Sequence, residues 1–234
     1  MSNEERVPLP PRYKTKTGFS RDNYQAGNVG PSRSKWFRES TLTSALENLP
    51  LFPRYYINAD LIKKNENISD YDAMTKADKL RTAAMSKHIS FAFETVMSHH
   101  SKLDFIDTAK HQEYKVILHF VLTEDPSLNV DRVALRHTKG GHDVPVDKII
   151  DRYHRSINFL KYAFKKADIA YVYNNSWAEP IPLASKSLDG KISIYPMVIT
   201  NPTSKWTENN IRALLDLSPR ISERESDDNN RFRQ

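Results

Sequence analysis

The order of hydrophobic and polar residues along the chain predicts alternating helices and strands. Apolar side chains recur at helical spacing at 40–49, 70–89, 98–112, 129–136, 146–166 and 208–217. Short apolar, β-branched or aromatic runs predict strands at 54–58, 91–95, 114–122, 169–173 and 192–195. Helices and strands that alternate at these lengths favour an α/β fold with a mostly parallel sheet flanked by helices.

The first 39 residues do not share this pattern. They contain four of the 13 Pro, three of the six Gly and many Lys and Arg, with neither the period of a strand nor that of a helix. This composition is typical of a disordered arm. The sequence therefore divides into an atypical basic segment at 1–39, a globular domain at 40–217 and a charged tail at 218–234 that we expect to be disordered.

Composition excludes several classes of site and location. The 234 residues include no Cys, which excludes disulfide frameworks, thiol nucleophiles and Cys-bound metal centres. The longest apolar runs are far shorter than the ~18 to 20 residues of a membrane span. The first residues, Met-Ser-Asn-Glu-Glu, are too polar for a secretory signal. We expect a cytoplasmic protein that does not bind a membrane.

The net charge of +6 at first suggests a nucleic-acid partner. Residues 1–39 hold eight Lys and Arg against four Asp and Glu, so they carry +4 of the total and the rest of the chain carries only +2. Recognition of nucleic acid needs basic residues clustered on one face of a domain. We therefore do not expect nucleic acid to be a partner of the globular part.

Polar side chains follow three of the predicted strands. These polar strand ends are Asn58-Ala59-Asp60, Glu94-Thr95 and Asn174-Asn175-Ser176. In an open parallel sheet, ligands bind at the carboxyl ends of the strands. A carboxylate there can act as a base toward a substrate hydroxyl, and another can orient substrate or hold Mg²⁺ through water. The same residue types are common in helix caps and turns, so spacing alone leaves both interpretations open.

Arginines flank a glycine-containing loop in the second half of the chain. Arg132 and Arg136 lie on one short predicted helix, Arg152 and Arg155 lie on the next, and Gly140-Gly141 lies between the two helices. Phosphoryl transfer needs arginines on a mobile segment beside acidic strand ends, because they neutralise the charge of a γ-phosphate. The alternative is that they are solvated residues of helix surfaces.

Six segments of the chain form an ordered series. They are Tyr-Ile-Asn-Ala-Asp-Leu-Ile at 56–62, Ser-Phe-Ala-Phe-Glu-Thr-Val-Met-Ser at 90–98, Tyr-Lys-Val at 114–116, Arg-Val-Ala-Leu-Arg at 132–136 running into Gly-Gly-His-Asp-Val-Pro at 140–145, Arg-Tyr-His-Arg-Ser at 152–156 and Tyr-Asn-Asn-Ser at 173–176. In order and spacing they resemble the zeta-toxin-like P-loop kinases, over residues 40–183. The resemblance implies an adenylate-kinase-like α/β fold that transfers the γ-phosphate of ATP, with Mg²⁺, to a small-molecule acceptor. For the best-understood members that acceptor is UDP-N-acetylglucosamine, and the implied protein partner is an antitoxin.

The same resemblance implies roles for individual residues. Asp60 would be the base at the acceptor hydroxyl, and Glu94 and Thr95 would bind substrate on the magnesium side. Arg136 and Arg152 would clamp the phosphates from a lid. Nucleotide contacts would come from three polar residues, Ser40, Thr41 and Asn175, and the Ser40 hydroxyl would bind Mg²⁺.

The chain departs from the family at the loop that binds phosphate. Such kinases need Gly-x-x-x-x-Gly-Lys-Ser/Thr after the first strand, because backbone N–H groups cradle the phosphates and the Lys neutralises them. Ser40-Thr41-Leu42-Thr43 resembles the end of that motif but places Glu39 at the position of the Lys. The first strand and the loop are therefore missing or scrambled, and we expect nucleotide binding and activity to be impaired. The alternative is a non-catalytic kinase-fold binding protein or a nucleic-acid binder with a basic arm.

The neighbouring reading frame can encode the missing loop. A codon made of the last two bases of Trp36 and the first base of Phe37 must be GGT, which encodes Gly. Read in this way, residues 33–39 permit Gly-Pro-Asn-Gly-Ser-Gly-Lys, which the in-frame Ser40 would follow. We hypothesise that the residues before Ser40 are translated out of frame after the loss of one nucleotide just upstream of it. A genuine, divergent basic segment is the alternative.

The nucleotide sequence of the gene checks this hypothesis. Read one base later, the codons of residues 28–39 are expected to spell the whole loop, because a frame change would have preserved it intact. Sequencing the DNA of codons 1–40 is the measurement. A next frame that lacks the Gly-Lys pair before Ser40 rules the hypothesis out.

Overall fold

A computed structural model describes residue 46 and residues 52–138, 144–177, 180–197 and 204–218. The chain divides into two compact units, residues 1–95 and 96–234, and each unit has its own sheet. Several predictions lie outside the described residues: those for 1–39, for most of the helix at 40–49, for Ser40 and Thr41, for the Gly140-Gly141 loop and for the tail beyond 218.

The first unit contains a pair of parallel strands and two helices. β1 (Tyr55–Ile57) pairs with β2 (Phe91–Phe93), and α1 (Ala59–Glu66) and α2 (Asp70–Ser86) lie between them in the chain. The strands and α2 correspond to predicted elements, and the structure adds α1 to them.

The local sequence explains where these two helices begin. Asn58 and Ser69 have extended backbones, and the side chain of each accepts hydrogen bonds from backbone N–H groups of the helix that follows. Ala77 and Leu80 of α2 are buried with Ile57 of β1 in a small apolar cluster. The cluster fixes α2 against the strand whose end carries Asn58.

The second unit contains four helices and a four-stranded sheet among its described residues. In chain order these are α3 (Ser101–His111), β3 (Ile117–Leu122), α4 (Ser127–His137), α5 (Val146–Lys166), β4 (Ile169–Asn174), β5 (Ile181–Lys186), β6 (Ile192–Ile194) and α6 (Glu208–Leu214). Each element predicted between residues 98 and 217 has a counterpart here, and β5 is an addition. No helix in the described part of the chain is long and apolar enough to cross a membrane.

The strand order in the second unit is β3-β4-β5-β6. β3 and β4 are parallel, with Leu122 opposite Asn174, whereas β5 and β6 continue the sheet in antiparallel pairs. The predicted α/β fold is confirmed, and its parallel pairs are β1–β2 and β3–β4. The antiparallel part follows from chain length, because only residues 175–180 join β4 to β5 and a parallel crossover needs about a dozen residues or more.

Helix α5 supplies the centre of the main core. Its Leu160 and Phe164 are almost completely buried and belong to one apolar cluster with Val172 of β4 and Leu183 of β5. Ile211 of α6 is buried in the same cluster. The core therefore joins helices distant in sequence to the sheet.

A partly exposed ion pair fixes the beginning of β3. Asp168 Oδ2 accepts a hydrogen bond from the backbone N–H of Val116 at 2.8 Å, and Asp168 Oδ1 accepts one from Lys110 Nζ at 2.8 Å. Burial opposes ionisation of Asp168, but these donors outweigh it and hold the pKa of Asp168 below its usual value. The start of β3 is thus fixed next to the start of β4.

Within the described residues, β3 has a hydrogen-bonded neighbour on one side only. The strand contains no Lys, Arg, Asp, Glu or Pro, and Ile117 and Val121 are 43% and 41% exposed. Burial lowers the pKa of His119, so this residue adds no charge at neutral pH. The outer side of β3 therefore lacks the charges and prolines that usually protect an edge strand.

Two substitutions on α5 test the position of the core. Leu160→Ala removes a side chain that is 0% exposed and is expected to lower the free energy of unfolding by about 2–5 kcal/mol. Val146→Ala on the same helix removes methyl groups that are 53% exposed and should change it by no more than about 0.5 kcal/mol. Urea unfolding of both variants checks this, and equal losses would place the core elsewhere.

Candidate functional site

In the first unit, polar side chains meet where β1 and β2 end. The last paired positions of the two parallel strands are Ile57 and Phe93, so Asn58 and Glu94 follow them side by side. Thr95 comes next after Glu94, and Asp60 lies in the first turn of α1. Glu94, Thr95 and Asp60 are all exposed. The structure thus places the predicted base and both predicted substrate-binding residues around one strand end.

The side chain of Asn58 connects these residues. Its Oδ1 accepts hydrogen bonds from the backbone N–H of Asp60 at 2.8 Å and of Leu61 at 3.2 Å. Its Nδ2 donates to the Tyr56 hydroxyl at 2.9 Å and to Glu94 Oε2 at 3.3 Å. One amide group therefore caps α1 and also contacts the carboxylate at the end of the other strand.

This arrangement suits a substrate that carries hydroxyl groups. An ionised carboxylate accepts hydrogen bonds and can take a proton from a hydroxyl. The exposed carboxylates of Asp60 and Glu94 offer two such acceptors to a ligand.

In the second unit, a denser polar network lies at the carboxyl ends of β3 and β4. Asn174, at the end of β4, is completely buried, and its Oδ1 accepts hydrogen bonds from the backbone N–H and the hydroxyl of Ser176, at 3.0 and 2.6 Å. Its Nδ2 donates to Glu124 Oε1 at 3.3 Å and to Met197 Sδ at 3.3 Å. The hydrogen bonds of Asn174 therefore order the loop that follows β4.

Glu124 links three segments of this network. Its carboxylate Oε1 accepts a hydrogen bond from the buried Ser204 hydroxyl at 2.8 Å as well as the one from Asn174. Its backbone N–H donates to the Ser176 hydroxyl at 2.7 Å, and its carbonyl accepts a hydrogen bond from Lys205 Nζ. Glu124 thus joins the loops after β3 and β4 to residues 204–205.

Helices α4 and α5 are anchored to the same strand ends. Asn129 Nδ2 donates to the Thr123 hydroxyl at 3.0 Å, and the Tyr153 hydroxyl donates to the Thr123 carbonyl at 2.9 Å. Arg132 Nη2 donates to the Asn175 carbonyl at 2.7 Å. Burial, with a smaller effect of nearby carboxylates, raises the pKa of Tyr153 and keeps its phenol protonated as a donor.

The two arginines predicted to clamp phosphate lie on these anchored helices. Arg136 is exposed on α4, and its Nε donates to the Arg132 carbonyl at 3.4 Å. Arg152 is exposed on α5. Arg155, by contrast, pairs with Asp151 at 2.7 Å along the helix surface. Arg136 and Arg152 therefore present cations to solvent from two helices that hydrogen bonds hold against the strand ends.

The structure reveals residues that the sequence reasoning missed. A polar residue just after an apolar strand is also the signal at Glu124, which follows the predicted strand at 114–122. Asn58 lies at a predicted polar strand end, where the pattern indicates no separate role for it. Tyr153 and Ser204 carry no local signal, because their partners lie 30 and 80 residues away.

The sequence lacks the loop motif that would hold the nucleotide implied by the resemblance. No Gly-x-x-x-x-Gly-Lys occurs in it. The described residues hold no cluster of three or more His, Asp or Glu that could bind a metal ion. The predicted Mg²⁺ ligand Ser40 lies outside the described residues.

Comparisons with known proteins found a family model and a relative that each match part of the chain. A family model described as Zeta toxin matches residues 50–181, which is more than half of the chain. An uncharacterized protein of Haemophilus influenzae is 30% identical over 98 residues, which cover 42% of this chain and 70% of the relative. No solved structure matches the chain significantly.

Neighbouring asparagines test the polar network in the second unit. Asn174→Ala removes the acceptor of the Ser176 N–H and hydroxyl and one of the two donors to Glu124 Oε1 in a part-buried network, so the free energy of unfolding should fall by about 1–3 kcal/mol. The bonds of Asn175 use its backbone N–H and carbonyl, which Ala retains, so Asn175→Ala should change it by no more than about 0.5 kcal/mol. Denaturant titration of both variants is the measurement, and a harmless Asn174→Ala would contradict the network.

Proposed function

We propose, since the chain belongs to the Zeta toxin family of P-loop kinases, that it is a small-molecule kinase whose acceptor side is intact and whose nucleotide side is defective. The observation that carries the proposal is the bridge from Asn58 to Glu94, beside the helix turn that holds Asp60. The proposed acceptor is a nucleotide sugar such as UDP-N-acetylglucosamine, and the proposed location is the cytoplasm.

On the acceptor side, Asp60 is proposed to take the proton of the attacking hydroxyl. Glu94 and Thr95 bind neighbouring polar groups of the same substrate, with Glu94 as an acceptor and Thr95 as a donor or acceptor. The exposure of all three residues supports this assignment, because each can be reached by a small molecule from solvent.

On the phosphate side, Arg136 and Arg152 are proposed to neutralise phosphate charge. Arginine suits this role because its planar guanidinium forms two parallel hydrogen bonds to a phosphate. Hydrogen bonds support this role, because they hold both helices against the strand ends. They are made by Asn129, Arg132 and Tyr153.

Ser40, Thr41 and Asn175 are proposed as the remnant of the nucleotide side. Without the Lys of the loop, and with Glu39 beside the phosphates, ATP binding is weak and Mg²⁺ has no strong partner in the site. An antitoxin that would restrain an active kinase is a further proposed partner.

The absence of the loop Lys also favours a second function. A kinase fold that retains its acceptor side and lacks the phosphate loop can bind the acceptor without modifying it. The chain would then be a binding protein for a nucleotide sugar. Charge does not favour nucleic-acid binding by the globular part, because the sequence beyond residue 39 carries only +2.

Restoring the loop separates the kinase from the binding protein. The chain as it stands is expected to show no micromolar affinity for ATP in calorimetry, because the loop that cradles the phosphates and its Lys are missing. A variant with the shifted sequence Gly-Pro-Asn-Gly-Ser-Gly-Lys at 33–39 should bind ATP and transfer its γ-phosphate to a nucleotide sugar. Asp60→Asn in that variant should reduce transfer by about 10²–10⁴-fold while ATP affinity is unchanged.

The controls decide between the two functions. Transfer of ³²P from labelled ATP is measured against a panel of nucleotide sugars and small hydroxyl compounds. A restored chain that binds ATP but modifies none of them contradicts the kinase proposal and favours the binding protein. Micromolar ATP affinity in the unrestored chain would refute the defect itself.

A further inference from the structure

Asn58 uses its whole side chain in hydrogen bonds. Because Oδ1 accepts from two backbone N–H groups, the orientation of the amide is fixed and Nδ2 must face Tyr56 and Glu94. Asn58 therefore caps α1 and also contacts Glu94, which lies 36 positions away in the sequence.

Capping alone does not require an asparagine. Ser, Thr and Asp cap helices about as well, because a cap needs only an oxygen that accepts from the first turn. Ser69 performs this task at the start of α2. The contact with Glu94 needs a donor in addition, and among the good caps Asn combines a carbonyl acceptor with an NH₂ donor in one rigid group.

The register of the strands makes the second contact possible. Ile57 lies opposite Phe93, so the residues that follow them come out of the two strands next to each other. Asn58 Nδ2 lies 3.3 Å from Glu94 Oε2, and Asn58 Oδ1 lies 2.8 Å from the backbone nitrogen of Asp60. One side-chain amide, that of Asn58, therefore sets the positions of both acidic residues.

We propose that Asn58 is a positioning residue of the acceptor site. It holds the carboxylate of Glu94 and the helix turn that carries Asp60 in one fixed arrangement, so that a substrate meets both carboxylates already in place. The inference rests on the proposed function for the identity of the substrate. The coupling of residues 58 and 94 is a separate claim that does not require activity.

Asn58→Asp separates the two tasks of the residue. Asp keeps the cap on α1, but it replaces the donor with a second carboxylate oxygen that faces Glu94. With UDP-N-acetylglucosamine as the probe and the full chain in calorimetry, the dissociation constant is expected to rise about tenfold or more. Unchanged affinity in Asn58→Asp would overturn the proposal.

Ser69→Asp is the matched control. The Ser69 hydroxyl also caps a helix and also donates to a carboxylate, Asp72 Oδ2, at 2.6 Å. This variant likewise replaces a capping donor with a carboxylate that faces another carboxylate, at the other helix of the unit. It is expected to leave the affinity for the probe unchanged. An equal loss of affinity in Ser69→Asp would show a general effect on folding and overturn the role of Asn58.

A double variant and an NMR signal test the coupling without any substrate. Asn58→Asp is expected to lower the melting temperature, because two carboxylates then face each other. In the double variant Asn58→Asp with Glu94→Gln, residue 94 carries the amide donor and residue 58 the acceptor, so the melting temperature should return to that of the unsubstituted chain. In the single variant Glu94→Gln, the side-chain NH₂ signals of Asn58 should shift while the backbone N–H signals of Asp60 and Leu61 stay in place.

These readouts distinguish the two proposals. If the unsubstituted chain does not bind UDP-N-acetylglucosamine, the proposed acceptor is wrong, and the NMR and melting data still decide on Asn58. Asn58 signals that do not respond to Glu94→Gln, or a double variant as unstable as Asn58→Asp, would overturn the positioning role.

Discussion

Parallel pairing of strands is the constraint on which both groups of polar residues depend. Parallel strands end at the same edge of a sheet, so whatever follows one strand comes to lie beside whatever follows its neighbour. The pairs Ile57–Phe93 and Leu122–Asn174 are the last of their ladders. The first pair brings Asn58 next to Glu94, and the second allows the Asn175 N–H to bond the Leu122 carbonyl at 2.8 Å. A shift of one residue in either ladder would separate the polar residues that lie side by side at its end.

Much of the fold could be predicted from the sequence because its elements have strong local signals. The 21 residues of α5 were predicted with the observed bounds, since its apolar positions recur at helical spacing throughout. β5 was missed because Ile-Pro-Leu-Ala-Ser-Lys contains a Pro and has little β-branched character. The sequence pattern also could not show that β5 returns in antiparallel fashion, which depends on the short connection before it.

The residues of the candidate site also differ in whether the sequence could predict them. Asp60 and Glu94 could be proposed because each follows an apolar run, and that rule requires no knowledge of neighbours. The roles of Glu124 and Asn58 could not be predicted, because each depends on a bond to a residue distant in sequence, Ser204 in one case and Glu94 in the other. The local sequence pattern identifies polar side chains that a substrate can reach. Only the fold shows which other residues hold those side chains in place.

The outer side of β3 has a consequence for the chain before and after folding. Within the part of the chain that the structure describes, the outer side of β3 has no hydrogen-bonded neighbour, and its six uncharged residues favour pairing with a similar strand such as β3 of another copy. Lys115 and Glu124 lie close to the two ends of the strand and provide charge only there. A newly made chain whose β3 is not yet covered is therefore open to aggregation at this strand.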